Sequence, residues 1–268
     1  MKMDPYAVGS TAMFACQYDP RFSYCAYIPS NWTPEGEPLT MLVIVHGSGR
    51  TPQHYRDVYK EFAQEHGLIV MAPLFPCAIT SFDDMSSYKY ISYGGVRFDR
   101  ILLAMVEEMG RRYGARTDRF LLHGFSGGGH FVHRFFYLHA DRLIALSVGA
   151  PGYITLLDDA KPWHAGTANF REVFGQGIDM EALRRVPVQL VAGADDLETW
   201  EINDRDSENW MEELAEAGEN RVERLTCLWK NYLSHGISAE LELVPGVKHW
   251  GYSIAPQVCA FFDGVLRR

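Results

Sequence analysis

The runs "MLVIV" (41–45) and "LIALSV" (143–148) carry apolar residues on both alternating sets of positions. A strand with one wet face alternates apolar and polar, so these two must be covered on both faces. Further short apolar runs read as strands in "FSYCAYIP" (22–29), "LIVMAP" (68–73), "RFLLHG" (119–124), "VPVQLVAGA" (186–194) and "ISAELELVPG" (237–246). Between them lie longer stretches with helical spacing. "HYRDVYKEFAQEHG" (54–67) ends on a glycine cap, "VRFDRILLAMVEEMGRRYG" (96–114) is long, and a further helix begins near Gly127. Residues 207–235 contain helix, with Val222, Leu225, Trp229 and Tyr232 in phase, and "PQVCAFFDGVLRR" (256–268) closes the chain. Strand–helix alternation with doubly covered strands predicts an α/β fold, a mainly parallel sheet with helices on both faces and right-handed crossovers. With 268 residues the chain suits one domain spanning 1–268. Residues 151–185 break the rhythm, being rich in glycine and aromatics, and predict a lid-like insertion within that domain.

The formal net charge of −9 disfavours nucleic acid, which needs a basic footprint, and an anionic membrane surface. No run approaches the roughly 20 apolar residues of a membrane span. The opening "MKMDPYAVGSTAMFAC" has one lysine and a broken apolar patch, unlike a secretory signal. Five scattered cysteines without a CxxC predict free thiols in a reducing compartment, hence a cytoplasmic protein.

The chemistry concentrates at "FLLHGFSGGGH" (120–130), where Gly124-Phe125-Ser126-Gly127-Gly128 has the form G-x-S-x-G between a strand and a helix. In such a nucleophile elbow small residues two before and two after the serine let the backbones approach, and the turn lifts the hydroxyl clear of the sheet. The alternative, a glycine-rich phosphate loop, has neither G-x-G-x-x-G nor GKS/GKT behind it. A serine hydroxyl needs a base, and in this architecture the order is serine, acid, histidine. Of the ten histidines, His235 and His249 lie late enough. His235 sits at a helix end beside Gly236, whereas His249 follows the last strand through "VPGVKHWGYS", so His249 is the expected base. The acid should follow "VPVQLVAGADDLET", which offers Asp195, Asp196 and, close by, Glu198. The oxyanion donors should be the amide of Gly127 and one from the loop "VIVHGSGRTPQHY", Ser48 first and Gly49 second, with His46 bracing that loop.

Together "HGSGRTPQHYRD", "GFSGGG…HR" and "AGADDLET" resemble the α/β-hydrolase superfamily, over about residues 20–268. Within it they are similar to the small esterases related to polyhydroxyalkanoate depolymerases and feruloyl esterases. The resemblance implies an eight-stranded, mostly parallel sheet, a Ser-Asp-His triad and no metal or other cofactor. Its Gly-x-x-Asp station falls on Gly193 and Asp196, which assigns the acid to Asp196. The sequence thus predicts a serine esterase acting on a small-molecule ester, with Ser126, Asp196 and His249 catalytic and Ser48 and Gly127 forming the oxyanion hole. Hydrolysis of amide, thioester or carbon–carbon bonds by the same triad, and a non-catalytic binding protein on the same fold, are the alternatives. Trp163, in the insertion, and Trp250, beside the base, are the candidate substrate contacts. His130 and His133, one helical turn apart, are read as packing or hydrogen-bonding residues and not as a metal pair.

Overall fold

A computed structural model describes residues 8–207 and 209–268. Its strands are β1 (Gly9–Ser10), β2 (Phe14–Ala15), β3 (Ser23–Ile28), β4 (Met41–Val45), β5 (Ile69–Leu74), β6 (Ser92–Tyr93), β7 (Val96–Arg97), β8 (Phe120–Phe125), β9 (Leu143–Gly149), β10 (Val188–Gly193) and β11 (Ala239–Val244). β6 and β7 pair only with each other, as a small hairpin. The others form one sheet in the order β1-β3-β5-β4-β8-β9-β10-β11, with β2 also on β3. β1 and β2 pair antiparallel with opposite ends of β3 and act as one interrupted strand, so the sheet has eight positions. β3 is antiparallel to β5, and every pairing from β5 to β11 is parallel. β4, β8 and β10 are buried at every residue, which is why their sequences do not alternate. β11 is an edge strand and keeps Glu240 exposed, a charge that discourages pairing with another chain.

The helices are α1 (Pro52–Val58), α2 (Lys60–His66), α3 (Phe98–Tyr113), α4 (Gly127–His139), α5 (Phe170–Phe174), α6 (Met180–Arg185), α7 (Glu212–Ala215), α8 (Arg221–Ser234) and α9 (Ala255–Leu266). The single helix expected over 54–67 is broken at Tyr59, whose φ of −98° and ψ of 0° leave the helical region. None of the described helices is long and apolar enough to cross a membrane.

Two features of this layout position the site. The chain leaves β4 through α1 and α2 to reach β5 on one side, and leaves β8 through α4 to reach β9 on the other. Right-handed crossovers in opposite directions put these helices on opposite faces, and a crevice opens where the two loops part. Val45 and Gly124 are direct partners in register, so the loops after both strands start level with each other.

The stretch 151–185 is fastened to the core. Trp163 packs edge-on against Phe170 and Phe174, with ring centroids 5.6 and 4.8 Å away, and both phenylalanines are buried within the main core. The Arg134 guanidinium lies over the Trp163 ring and that of Arg97 over Phe174. Both histidines of α4 hold the start of the segment. His130 Nε2 accepts the N–H groups of Gly152 and Tyr153 at 2.8 and 3.1 Å, and His133 Nε2 accepts that of Thr155 at 3.0 Å. Burial pushes His133 down to about 3 and His130 well below the usual imidazole range, so both rings are neutral.

Candidate active site

Ser126 sits between β8 and α4 with φ 56° and ψ −114°, a conformation that only glycine adopts freely. Such strain costs about 1–3 kcal/mol and persists because its surroundings fix it. The Ser126 N–H donates to the Gly149 carbonyl at 2.8 Å, and the Ser126 carbonyl accepts from the His130 N–H at 3.0 Å. Crowding explains the flanking glycines. A Cβ on Gly124 would lie 2.4 Å from the Gly128 carbonyl oxygen, and one on Gly128 would lie 2.2 Å from that of Val45. The turn therefore presses against both β4 and its own helix, and the serine is pushed out at its tip.

The loop after β11 comes over the end of β10 at close range. A Cβ on Gly193 would meet the Val247 carbonyl at 2.1 Å, and the Asp195 N–H donates to that carbonyl at 2.9 Å. This contact carries His249 to the serine. His249 Nε2 is 3.0 Å from Ser126 Oγ, and its Nδ1 is 2.6 Å from Asp196 Oδ2. An ionised carboxylate only accepts, so Nδ1 carries the proton and Nε2 presents its lone pair to the serine hydroxyl. The imidazole packs on the Phe125 ring at 4.8 Å. Asp196 is buried, while Asp195 faces solvent. The structure thus brings Ser126, His249 and Asp196 together and leaves Asp195 outside. The second Asp196 oxygen lies 3.4 Å from the Arg221 guanidinium of α8, which also binds Glu201.

Ser48 follows β4 and borders the same cavity as Ser126 and Gly127. A Cβ on Gly127 would lie 3.2 Å from the Ser48 amide nitrogen, so the two expected donors are neighbours. Gly127 opens α4, and the amides of a helix's first turn have no partner within it. The Ser48 loop is held from below. Buried His46 contacts the Gly47 carbonyl through Nδ1 at 2.8 Å and accepts the Phe75 N–H through Nε2 at 3.0 Å. Burial lowers this imidazole to about 4, so it braces the loop as a neutral ring. Arg50 binds the carbonyls of Ser48, Phe75 and Met85 at 2.7–2.9 Å.

The cavity measures about 230 Å³ and is mostly polar, with Lys89, Tyr90 and Arg221 among its walls. Neither expected tryptophan borders it. Trp163 is drawn into the aromatic cluster of the core, and Trp250 is 59% exposed, packed edge-on against Tyr252. Both tryptophans thus lie outside this cavity, Trp250 beside His249. Lys89, Tyr153 and Arg221 escaped sequence reasoning because they come from three segments far apart in the chain, with no spacing to mark them. Tyr90 belongs to the tyrosine-rich stretch 88–93, which was the one available signal.

No protein-family model and no curated protein matches the sequence. In architecture the chain is similar to a poly(aspartic acid) hydrolase from Sphingomonas sp. KT-1, with a TM-score of 0.74 and 19% identity, over 94% of this chain and 98% of that one. It is similar to a poly(3-hydroxybutyrate) depolymerase from Bordetella parapertussis, with a TM-score of 0.72 and 22% identity, over 91% and 84%. An S-formylglutathione hydrolase from Agrobacterium tumefaciens gives a TM-score of 0.62 at 15% identity, over 92% and 90%. The sheet order, its reversal between β4 and β8 and the full-length match to these structures identify the chain as an α/β-hydrolase fold.

Proposed function

We propose that this protein is a serine hydrolase that cleaves a carboxylic ester of a small or medium substrate through an acyl-enzyme on Ser126. The observation that carries the reading is the unbroken chain from buried Asp196 through His249 to Ser126 Oγ, at 2.6 and 3.0 Å. Ser126 Oγ attacks the ester carbonyl while His249 Nε2 takes its proton. The carbonyl oxygen becomes an oxyanion and accepts hydrogen bonds from the amides of Ser48 and Gly127. Buried Asp196 holds the imidazole in the productive tautomer and stabilises its cation. The tetrahedral intermediate then collapses, the alcohol leaves with the proton from His249, and the acyl group remains on Ser126. Water, deprotonated by His249, attacks that acyl-enzyme, and the acid departs as Ser126 regains its proton. The names of the three similar structures, two hydrolases and a depolymerase, support hydrolysis as the reaction class. The chain is read as one domain with 151–185 as an insertion in it. Five free cysteines support the cytoplasmic reading.

A fluorophosphonate probe tests this directly. The wild-type protein should become labelled at Ser126 and hydrolyse p-nitrophenyl esters. Ser126→Ala should lose both while keeping its melting temperature, with a fall in kcat on the order of 10⁶, as for a subtilisin serine. Retention of a tenth of the activity would remove Ser126 from the mechanism.

A further inference from the structure

The net charge of −9 does not describe the surroundings of Ser126. Four cations lie on or just behind the cavity wall, and among the described residues none of them forms an ion pair with a carboxylate. Arg50 is held by three carbonyls. Arg134, fully buried, binds the Thr155 hydroxyl and the Lys89 carbonyl. Arg224 is held by the carbonyls of Gly218, Gly152 and Ile202 and by the side chain of Asn203. Lys89 alone of the four lines the cavity, half-buried, and among the described residues its ammonium bonds only to the Ser86 hydroxyl, at 3.1 Å. The fifth cation there, Arg221, pairs with Asp196 and Glu201; Glu201 also borders the cavity and attracts Lys89 through space without forming an ion pair with it. A partly desolvated ammonium with no carboxylate in direct contact is better compensated when a ligand brings one.

The position of Lys89 also says which part of a substrate it meets. Its ε-carbon lies 3.1 Å from where a Cβ on Gly127 would be, so it stands beside the amide end of α4. The leaving oxygen must come within hydrogen-bond reach of His249 to be protonated. His249 does not border this cavity, whereas Ser48, Ser126 and Gly127 do. The cavity therefore receives the acyl side of the ester. The adjoining hollow, which shares Ser86 and Tyr90, is lined by Asp83 and Asp204 and would repel an anion that reached past Lys89.

Resting on the esterase reading above, we infer that the acyl group of the substrate is short and carries a carboxylate, which Lys89 binds. The protein would then act on half-esters of small dicarboxylic acids. Neutral acyl chains of the same length leave the ammonium uncompensated and bind less well.

The experiment pairs monomethyl glutarate with methyl pentanoate, and monomethyl succinate with methyl butanoate, following released methanol. The half-esters should be preferred in kcat/KM by about tenfold or more, as befits a charge-assisted hydrogen bond. Lys89→Met should erase the preference and Lys89→Arg should keep part of it. An equal preference for neutral esters, or an unchanged ratio in Lys89→Met, would overturn the inference. A uniform loss on all four esters would mean that Lys89 serves the oxyanion instead, and would overturn it too. Binding of monomethyl glutarate and methyl pentanoate to Ser126→Ala, followed by calorimetry, decides the matter even if Lys89→Met fails to fold. Tighter binding of the half-ester without any turnover by the wild type would keep this inference and sink the hydrolase reading. Turnover of esters without charge preference would do the reverse.

Discussion

Two sets of residues border the cavity, and they are built by different means. The wall that holds Ser126 is backbone. Its turn is fixed by contacts closer than any side chain allows, at Gly124 against Gly128 and at Gly128 against Val45. The other set is side chains: Lys89, Tyr90, Tyr153 and Arg221 reach in from separate loops and from the start of α8. The first has almost no freedom to change, because a methyl group already collides with a neighbouring strand. The second is held by side-chain hydrogen bonds, ion pairs and ring contacts, with no backbone pressed against backbone. On the function proposed above, the difference separates what would make the site react from what would make it select.

The contrast can be broken at several points. After the serine itself, the largest effect should come from the acid. Asp196→Asn keeps the shape, removes the charge and favours the wrong imidazole tautomer, a change worth about 10⁴ in kcat in trypsin. Asp195→Asn, exposed and outside the relay, should stay within about twofold of wild type. Measuring kcat for both on one activated ester decides which aspartate serves His249. A tenfold loss in Asp195→Asn with none in Asp196→Asn would reverse the assignment.

The backbone wall itself should fail next. Gly128→Ala puts a methyl group 2.2 Å from the Val45 carbonyl, so β4 and α4 must separate. Destabilisation by more than about 4 kcal/mol is expected, read as a large drop in urea midpoint or as insoluble expression. A variant with wild-type stability would show that the turn has more room than described.

A smaller effect distinguishes the insertion from the cavity. Trp163→Ala removes a half-buried ring from the Phe170–Phe174 cluster, which should cost about 2–3 kcal/mol of stability. Because Trp163 lies away from the cavity, relative rates on esters of different acyl length should stay the same. A changed length preference at unchanged stability would make residues 151–185 a lid in function.

The smallest effect is a titration of the selecting wall. Burial, followed by the repulsion of Arg50 and then Arg134, pushes Lys89 down to about 8, while Glu201 and Cys77 act the other way. A lysine lowered in this way is charged below that pH and neutral above it. The preference for the half-ester over the neutral ester should therefore decline as pH rises from about 7 to about 9.5, where the carboxylate stays ionised throughout. Any pH effect common to both esters cancels in the ratio. A ratio constant over that range would separate Lys89 from selection.

The sequence determined the scaffold and named the proposed reacting centre because both are written largely in local rules. Strands covered on both faces leave no polar alternation, so the sheet could be read from "MLVIV" and its counterparts. The elbow could be read because its crowding demands glycine at fixed distances from Ser126, and the expected base because it follows a strand end in a set order, whereas only the family resemblance chose Asp196 over Asp195. What only the tertiary structure decided lies on the other wall. No local pattern foretells that Lys89, in a 3₁₀ turn, and Arg221, at the head of α8, meet around one cavity. Nor does any pattern tell whether an aromatic residue such as Trp163 will face a cavity or be claimed by the core. Such placements depend on where loops of unrelated sequence come to rest, a matter of long-range packing, and packing leaves no period in the chain.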